Sequence, residues 1–147
     1  MKKIIAVLSV LILINVQPAQ AATMVKFVNP NKVSTKNPVV SLTVTGLPKD
    51  HGIYISQCMG IAEGEISPKS CNPATYSKLW ISNVAADQKM GAKSGTSKLT
   101  IRVDKYFEGG DCIHTKCIFF ITNDHNASSD RSEDQSVGFK FSGINLF

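Results

Sequence analysis

The chain has 147 residues, a length that fits one domain behind a short leader, and a formal net charge of +5. Its 16 lysines and arginines exceed its 11 aspartates and glutamates only slightly, and the lysines are spread singly. The composition therefore gives no sign of the clustered basic face that direct nucleic-acid binding usually needs.

The N-terminus is predicted to be a secretory signal peptide, residues 1–21. Two lysines, Lys2 and Lys3, precede an almost entirely apolar run at 4–16, and a small-x-small cleavage motif ends at Ala21. A membrane anchor is the alternative, but a run of 13 residues is short of the roughly 20 that a span requires. We expect a secreted, extracellular protein with no membrane span, in which residues 22–147 form one domain of net charge +3.

The mature chain is predicted to consist of strands joined by turns. Apolar and polar residues alternate in 39–45, for example, where Val40, Leu42 and Val44 share one face. The apolar run 118–122 is typical of a central strand that is covered on both sides. No segment keeps a helical period over three turns. The predicted strands are residues 24–29, 39–45, 52–58, 79–84, 97–103, 118–122 and 137–141. They predict an all-β fold, a seven-stranded immunoglobulin-like β-sandwich.

Four cysteines lie in two local pairs, Cys58 with Cys71 and Cys112 with Cys117. An even cysteine count in an exported chain favours disulfides. Of the three pairings that four cysteines allow, the local one is the simplest, because each bridge then closes one loop. Zinc binding and free thiols are the alternatives, although Cys-x4-Cys is not the usual zinc knuckle and the histidines are scattered.

No residue pattern indicates an enzyme, a cofactor or a metal centre. The Gly/Ser segment 91–98 lacks the phosphate-loop spacing, and there is no G-x-S-x-G motif. The histidines, His51, His114 and His125, lie in predicted turns and are expected to be exposed. Four acidic residues near His125 are expected to form a solvated loop, with a weak metal site as the alternative; they are Asp124, Asp130, Glu133 and Asp134.

Two groups of aromatic residues are candidates for a binding surface. Half of the strand phenylalanines should be core while the others could line a concave face; they are Phe119, Phe120, Phe139 and Phe141. A second group lies near predicted strand ends, namely Tyr76, Trp80, Tyr106 and Phe107. Such residues either close the ends of the core or form an apolar ligand site.

Five short motifs occur in an order that resembles the neocarzinostatin family of secreted enediyne-antibiotic apoproteins. They are Gln57-Cys58, Cys71-Asn72-Pro73-Ala74, Leu99-Thr100-Ile101-Arg102, Phe107-Glu108-Gly109, and Asp111-Cys112 followed by Cys117. The similarity extends over about residues 25–141, which is nearly all of the mature chain.

This resemblance implies an immunoglobulin-like sandwich, two local disulfides and a crevice that holds a non-covalent enediyne-like chromophore. The protein would protect and deliver an antibiotic, and DNA would be reached only through the bound ligand. The crevice residues that the motifs imply are Cys58, Cys71, Tyr76, Phe107 and Thr122. A monomer that carries an apolar small molecule and has no catalytic residue is the expectation.

The chain also departs from the family pattern. The family's loop between the Phe-Glu-Gly and Asp-Cys motifs is missing, because only Gly110 separates Gly109 from Asp111. Gly60 occupies a position where the family often has a bulky residue, and residues 118–121 are bulkier than the family's. The alternative expectation is therefore a secreted or cell-surface interaction domain that keeps the fold and has lost the chromophore site.

Overall fold

The computed structural model describes residues 22–143, and these form an all-β structure, as the sequence predicts. The strands are β1 Met24–Phe27, β2 Val39–Thr45, β3 Ile53–Met59, β4 Lys78–Ile81, β5 Leu99–Arg102, β6 Tyr106–Phe107, β7 Gly110–Asp111, β8 Cys117–Asn123 and β9 Gln135–Phe139. One short helix, α1 Ala85–Lys89, and the 3-10 turns Pro30–Lys32, Thr75–Ser77 and His125–Ala127 complete this part of the chain. The predicted signal peptide lies outside the described residues.

The strands form three antiparallel sheets. The order β1-β2-β5 makes a three-stranded sheet, β4-β3-β8-β9 a four-stranded one, and β6-β7 a small hairpin. Within the four-stranded sheet, β3 and β8 pair over their full length from Ile53–Asn123 to Met59–Cys117. The seven predicted strands are thus all present, and β6 and β7 are additional.

The apolar faces of the two larger sheets share one core. Val40, Leu42 and Val44 of β2 are buried, as their alternation predicts, and they belong to the same cluster as Ile53 and Ile55 of β3. Burying such a side chain contributes about 1.5–3 kcal/mol each.

Aromatic rings connect the sheets at the centre of this core. The Phe27 ring of β1 stacks on the Phe119 ring of β8 with centroids 4.2 Å apart, and Phe119 stacks on Phe139 at 4.7 Å. Phe141 follows β9 and is buried beside Phe139. Three of the four strand phenylalanines are therefore core, rather than half of them.

The predicted strand at 79–84 ends early, at Ile81, and the chain turns into α1. The Ser82 hydroxyl donates to Asp87 Oδ2 at 2.6 Å and accepts from the Val84 amide at 3.1 Å. Asp87 is buried, so this side-chain network favours the turn over continued strand.

The strand at 118–122 is central, but it is covered fully on one side only. Phe119 and Ile121 are buried in the core, whereas Phe120 and Thr122 on the opposite face are only partly buried. The prediction of cover on both sides holds at Ile118, which is on this outer face and is 2% exposed. It is wrong at Phe120 and Thr122, and the opening there forms the candidate site.

Both predicted disulfides are confirmed. Cys58 bonds to Cys71 and Cys112 bonds to Cys117, and no cysteine of the described chain is free. The two bridges are consistent with an extracellular location. Within residues 22–143, no helix has the length and apolar character needed to cross a membrane.

Candidate functional site

The outer face of the four-stranded sheet carries a concave, predominantly apolar groove of about 530 Å³. We call it the outer-face groove, and its lining residues are Tyr54, Ser56, Cys71, Thr75, Lys78, Leu79, Trp80, Phe120 and Thr122. It exists because alternate residues of a strand point to opposite faces. With Ile53, Ile55 and Ile121 in the core, their neighbours along the chain must line the other side.

The floor of the groove is a grid set by strand register. In one row Lys78 of β4 pairs with Ser56 of β3, and Ser56 pairs with Phe120 of β8. In the next row Trp80 pairs with Tyr54, and Tyr54 pairs with Thr122. Directly opposed side chains have Cβ atoms about 4.5–5.5 Å apart. The aromatic rings and the polar side chains of the floor are therefore immediate neighbours.

The wall of the groove is the segment after Cys71. The Cys58–Cys71 disulfide and a single antiparallel bridge tie this segment to β3. The Asn72 side chain fixes it further, because Asn72 Nδ2 lies 2.8 Å from Gln57 Oε1 and 2.9 Å from Asp104 Oδ2. Its Oδ1 accepts from the Ala74 amide at 3.0 Å.

This polar network is buried and largely satisfied. Gln57 has no exposed surface, and its Oε1 also accepts from the Asp104 amide at 2.9 Å. Fully hydrogen-bonded buried networks fix one geometry because breaking any member leaves a buried polar group unpaired. The wall is thus positioned before any ligand arrives.

At one end of the groove the aromatic rings are held by hydrogen bonds. The Tyr54 hydroxyl and His125 Nδ1 are 2.6 Å apart, and Trp80 Nε1 donates to Asp124 Oδ2 at 2.9 Å. The Trp80 and His125 rings meet edge to face with centroids 5.0 Å apart. Burial, followed by the negative charge of Asp124, raises the pKa of the Tyr54 phenol, which keeps it protonated.

Asp124 is the anchor of this end. Its carboxylate is fully buried and also accepts from the amides of Gly52 at 2.8 Å and Asn126 at 2.9 Å. Burial by itself would raise the pKa of this carboxyl. The hydrogen bonds from Trp80, Asn126 and Gly52 outweigh it and hold the pKa below its usual range.

The structure separates the five predicted crevice residues. Cys71 and Thr122 line the outer-face groove. Cys58 lies behind Cys71 and is buried. Tyr76 lies outside: 49% of it is exposed, its hydroxyl donates to Asp104 Oδ2 at 2.9 Å, and the Arg102 guanidinium lies 5.1 Å from its ring centroid. Because Asp104 accepts this hydrogen bond, the pKa of the Tyr76 phenol is raised.

Phe107 also lies away from the groove, in the β6–β7 hairpin. Its ring packs against the core and sits directly over Gly110, where a Cβ atom would come within 2.1 Å of the ring. The aromatic residues that do line the groove are Tyr54, Trp80 and Phe120. The sequence pattern of 53–59 contains a signal for Tyr54, because alternation places it on the face opposite the apolar residues Ile53 and Ile55.

Two expectations for the polar loops need correction. His51 is not an exposed turn residue, since its side chain is only 14% exposed and its Nε2 lies 2.9 Å from Asn123 Oδ1. The acidic loop is not simply solvated, because Asp124 is fully buried and Glu133 is 7% exposed. Glu133 Oε2 accepts from the Thr23 amide at 2.8 Å. Within residues 22–143, no group of three or more His, Cys, Asp or Glu side chains is arranged to hold a metal ion.

The arrangement can bind a flat ligand without large rearrangement. Three aromatic rings and a disulfide offer apolar contact, and the rings at one end are already held in place by His125 and Asp124. Such a site loses little conformational freedom on binding. Comparisons of the chain with family models, with curated proteins and with solved structures found no match.

Proposed function

We propose that this protein is a secreted, non-enzymatic carrier that binds an apolar, flat small molecule in the outer-face groove. The observation that carries the proposal is the floor of the groove, where Tyr54 and Trp80 are directly opposed on paired strands and Phe120 lies in the adjacent row. The volume of about 530 Å³ is in the range of ligand pockets, roughly 300–1,000 Å³.

More specifically, we propose that the carrier is a neocarzinostatin-like protein with a seven-stranded immunoglobulin-like sandwich. The order of the five sequence motifs supports it. The division of seven strands between a three-stranded and a four-stranded sheet around one core is compatible with it. The ligand would then be an enediyne-like antibiotic chromophore, and any action on DNA would belong to the released ligand. The shared Cys-Asn motif would act through Asn72, which positions the wall beside Cys71.

A specific observation favours the second candidate, an interaction domain without a ligand. Val28 and Val39 are 56% and 40% exposed. They lie close together, because the Val28 amide donates to the carbonyl of Ser41, two residues from Val39. This pair lies on the three-stranded sheet, away from the groove, so the two candidates use different surfaces.

The protein's only tryptophan, Trp80, lies in the groove, which gives a direct test. Titration with a neutral aromatic probe, biphenyl carboxamide, should change the tryptophan fluorescence saturably. Phe120→Ala should weaken binding of the probe by about 1–2 kcal/mol, because apolar contact with the ring is lost. Tyr106→Ala is the matched control, because Tyr106 is an exposed aromatic outside the groove.

Two further variants locate the ligand. If the probe binds instead in a crevice formed by Tyr76 and Phe107, Tyr76→Ala and Phe107→Ala should weaken its binding and Phe120→Ala should have little effect. If the outer-face groove alone is used, Tyr76→Ala and Phe107→Ala should bind like the wild type. Absence of saturable binding to the wild type would overturn the carrier proposal and leave the interaction domain.

A further inference from the structure

We infer that the groove prefers an aromatic acid, with Lys78 as the cation that selects the acidic group. This inference rests on the proposed function and adds the chemical class of the ligand.

The polar side chains of the groove that are not engaged elsewhere, among residues 22–143, are three hydroxyls and one ammonium group. Among the lining residues of the described chain, Tyr54 and Trp80 direct their polar atoms to His125 and Asp124. The others are the hydroxyls of Ser56, Thr75 and Thr122 and the ammonium of Lys78. None of the groove's lining residues within 22–143 is a carboxylate. The hydroxyls can donate or accept, whereas the Lys78 ammonium only donates and carries a positive charge, so an anionic ligand is the complement of this set.

The lysine is placed for such a contact. Lys78 pairs with Ser56, and Ser56 pairs with Phe120, so a cation, a hydroxyl and an aromatic ring form one row. Neighbouring strands are about 4.8 Å apart, so the row spans roughly 10 Å. A flat ligand with its ring over Phe120 can therefore present a carboxylate to Lys78 and the Ser56 hydroxyl.

The charges nearby leave this cation available. The ion pairs found within residues 22–143 are His51–Asp50, His114–Asp111 and Arg131–Asp134, and none includes Lys78. The carboxylate nearest the aromatic end, Asp124, is buried and already accepts three hydrogen bonds. Lys78 is exposed at the rim, so its preference for an anion should be moderate and sensitive to salt.

The test compares two probes of nearly equal shape, biphenyl carboxylate and biphenyl carboxamide, by calorimetric titration. We expect the wild type to bind the carboxylate about five- to tenfold more tightly than the carboxamide, because the carboxylate makes one partly exposed, charge-assisted contact with Lys78. Lys78→Gln should remove this preference, so that the variant binds the two probes with affinities within about twofold of each other, because the glutamine side chain is uncharged. Lys98→Gln is the control, since it removes an exposed charge outside the groove and should keep the preference.

The outcomes separate the two proposals. Equal affinity of the wild type for both probes, or a preference that survives in Lys78→Gln, would overturn the role of Lys78 while the carrier function stands. Loss of the preference in Lys98→Gln would assign it to net charge rather than to the groove and would also overturn it. If neither probe binds the wild type, the carrier function itself fails.

Discussion

Asp124 shows at the scale of one residue how the fold supports the groove. Its carboxylate accepts hydrogen bonds from three donors: the amide of Gly52, just before β3, the indole N–H of Trp80 on β4, and the amide of Asn126 in the following turn. One anion therefore connects three segments and orients the indole of the groove. Only a charged acceptor satisfies three donors at this point without leaving one unpaired.

Asp124→Asn is expected to destabilise the protein at neutral pH by about 2–3 kcal/mol. The variant loses the hydrogen bonds to a negative charge, and the NH2 group of the new side chain would point at an N–H donor that the carboxylate now accepts from. The pKa of Asp124 is depressed in the folded state. The stabilisation is therefore present above the unfolded value near 4 and is lost as pH falls through the folded pKa.

Urea unfolding at pH 7 and at pH 3 measures this effect. The difference between wild type and Asp124→Asn should shrink at the lower pH. Glu63→Gln, at an exposed position, is the control and should change stability little at either pH. A difference that is the same at both pH values would show that the charge of Asp124 does not contribute.

At the scale of elements, alternation predicted seven of the strands and the buried faces of β2 and β3, but it did not predict β6 and β7 or the open outer face of β8. Val40, Leu42 and Val44 turn inward as expected, and Tyr54 and Ser56 lie on the face opposite Ile53 and Ile55. Part of the groove floor was therefore present in the sequence pattern of a single strand.

The order of the strands in the sheets and the side-chain hydrogen-bond networks could not be predicted from alternation. Alternation does not say that β3 lies between β4 and β8, so it could not bring Trp80, Tyr54 and Thr122 into one row. The helix α1 is too short for a periodic signal and depends on the contact of Ser82 with Asp87. Motif similarity indicated Cys71 and Thr122 but gave no information about which way Tyr76 points.

The hairpin β6–β7 is an element that depends on one glycine. A Cβ on Gly110 would lie 2.1 Å from Phe107 Cζ, so Gly110→Ala must displace the ring from the core edge. We expect a destabilisation of about 1–3 kcal/mol, the usual cost of overpacking. Thermal or urea unfolding measures it.

Gly138→Ala on β9 is a matched control for this change. There a Cβ would meet only Lys116 Cε, at 3.9 Å, which is an ordinary contact. Alanine in a strand should be neutral or slightly stabilising at this site. Equal losses for the two variants would mean that the Phe107 packing does not set the cost.

At the scale of the whole molecule, the two disulfides close loops of different length and should have different roles. The sequence separations are 13 residues for Cys58–Cys71 and 5 for Cys112–Cys117. In the chain-entropy model these loops correspond to about 3 and 2 kcal/mol. Only the Cys58–Cys71 bridge is connected to the wall of the groove, because the wall begins directly after Cys71.

We therefore predict that the double variant Cys58→Ala with Cys71→Ala costs at least about 3 kcal/mol of stability and weakens binding of an aromatic probe. The double variant Cys112→Ala with Cys117→Ala should cost about 2 kcal/mol and leave probe affinity unchanged. Urea unfolding gives the stabilities, and tryptophan fluorescence gives the affinities, because Trp80 lies in the groove. If both variants lose affinity in proportion to stability, the Cys58–Cys71 bridge stabilises the fold generally. If the first alone loses affinity, the bridge holds the wall, and its reduction would release the ligand before the domain unfolds.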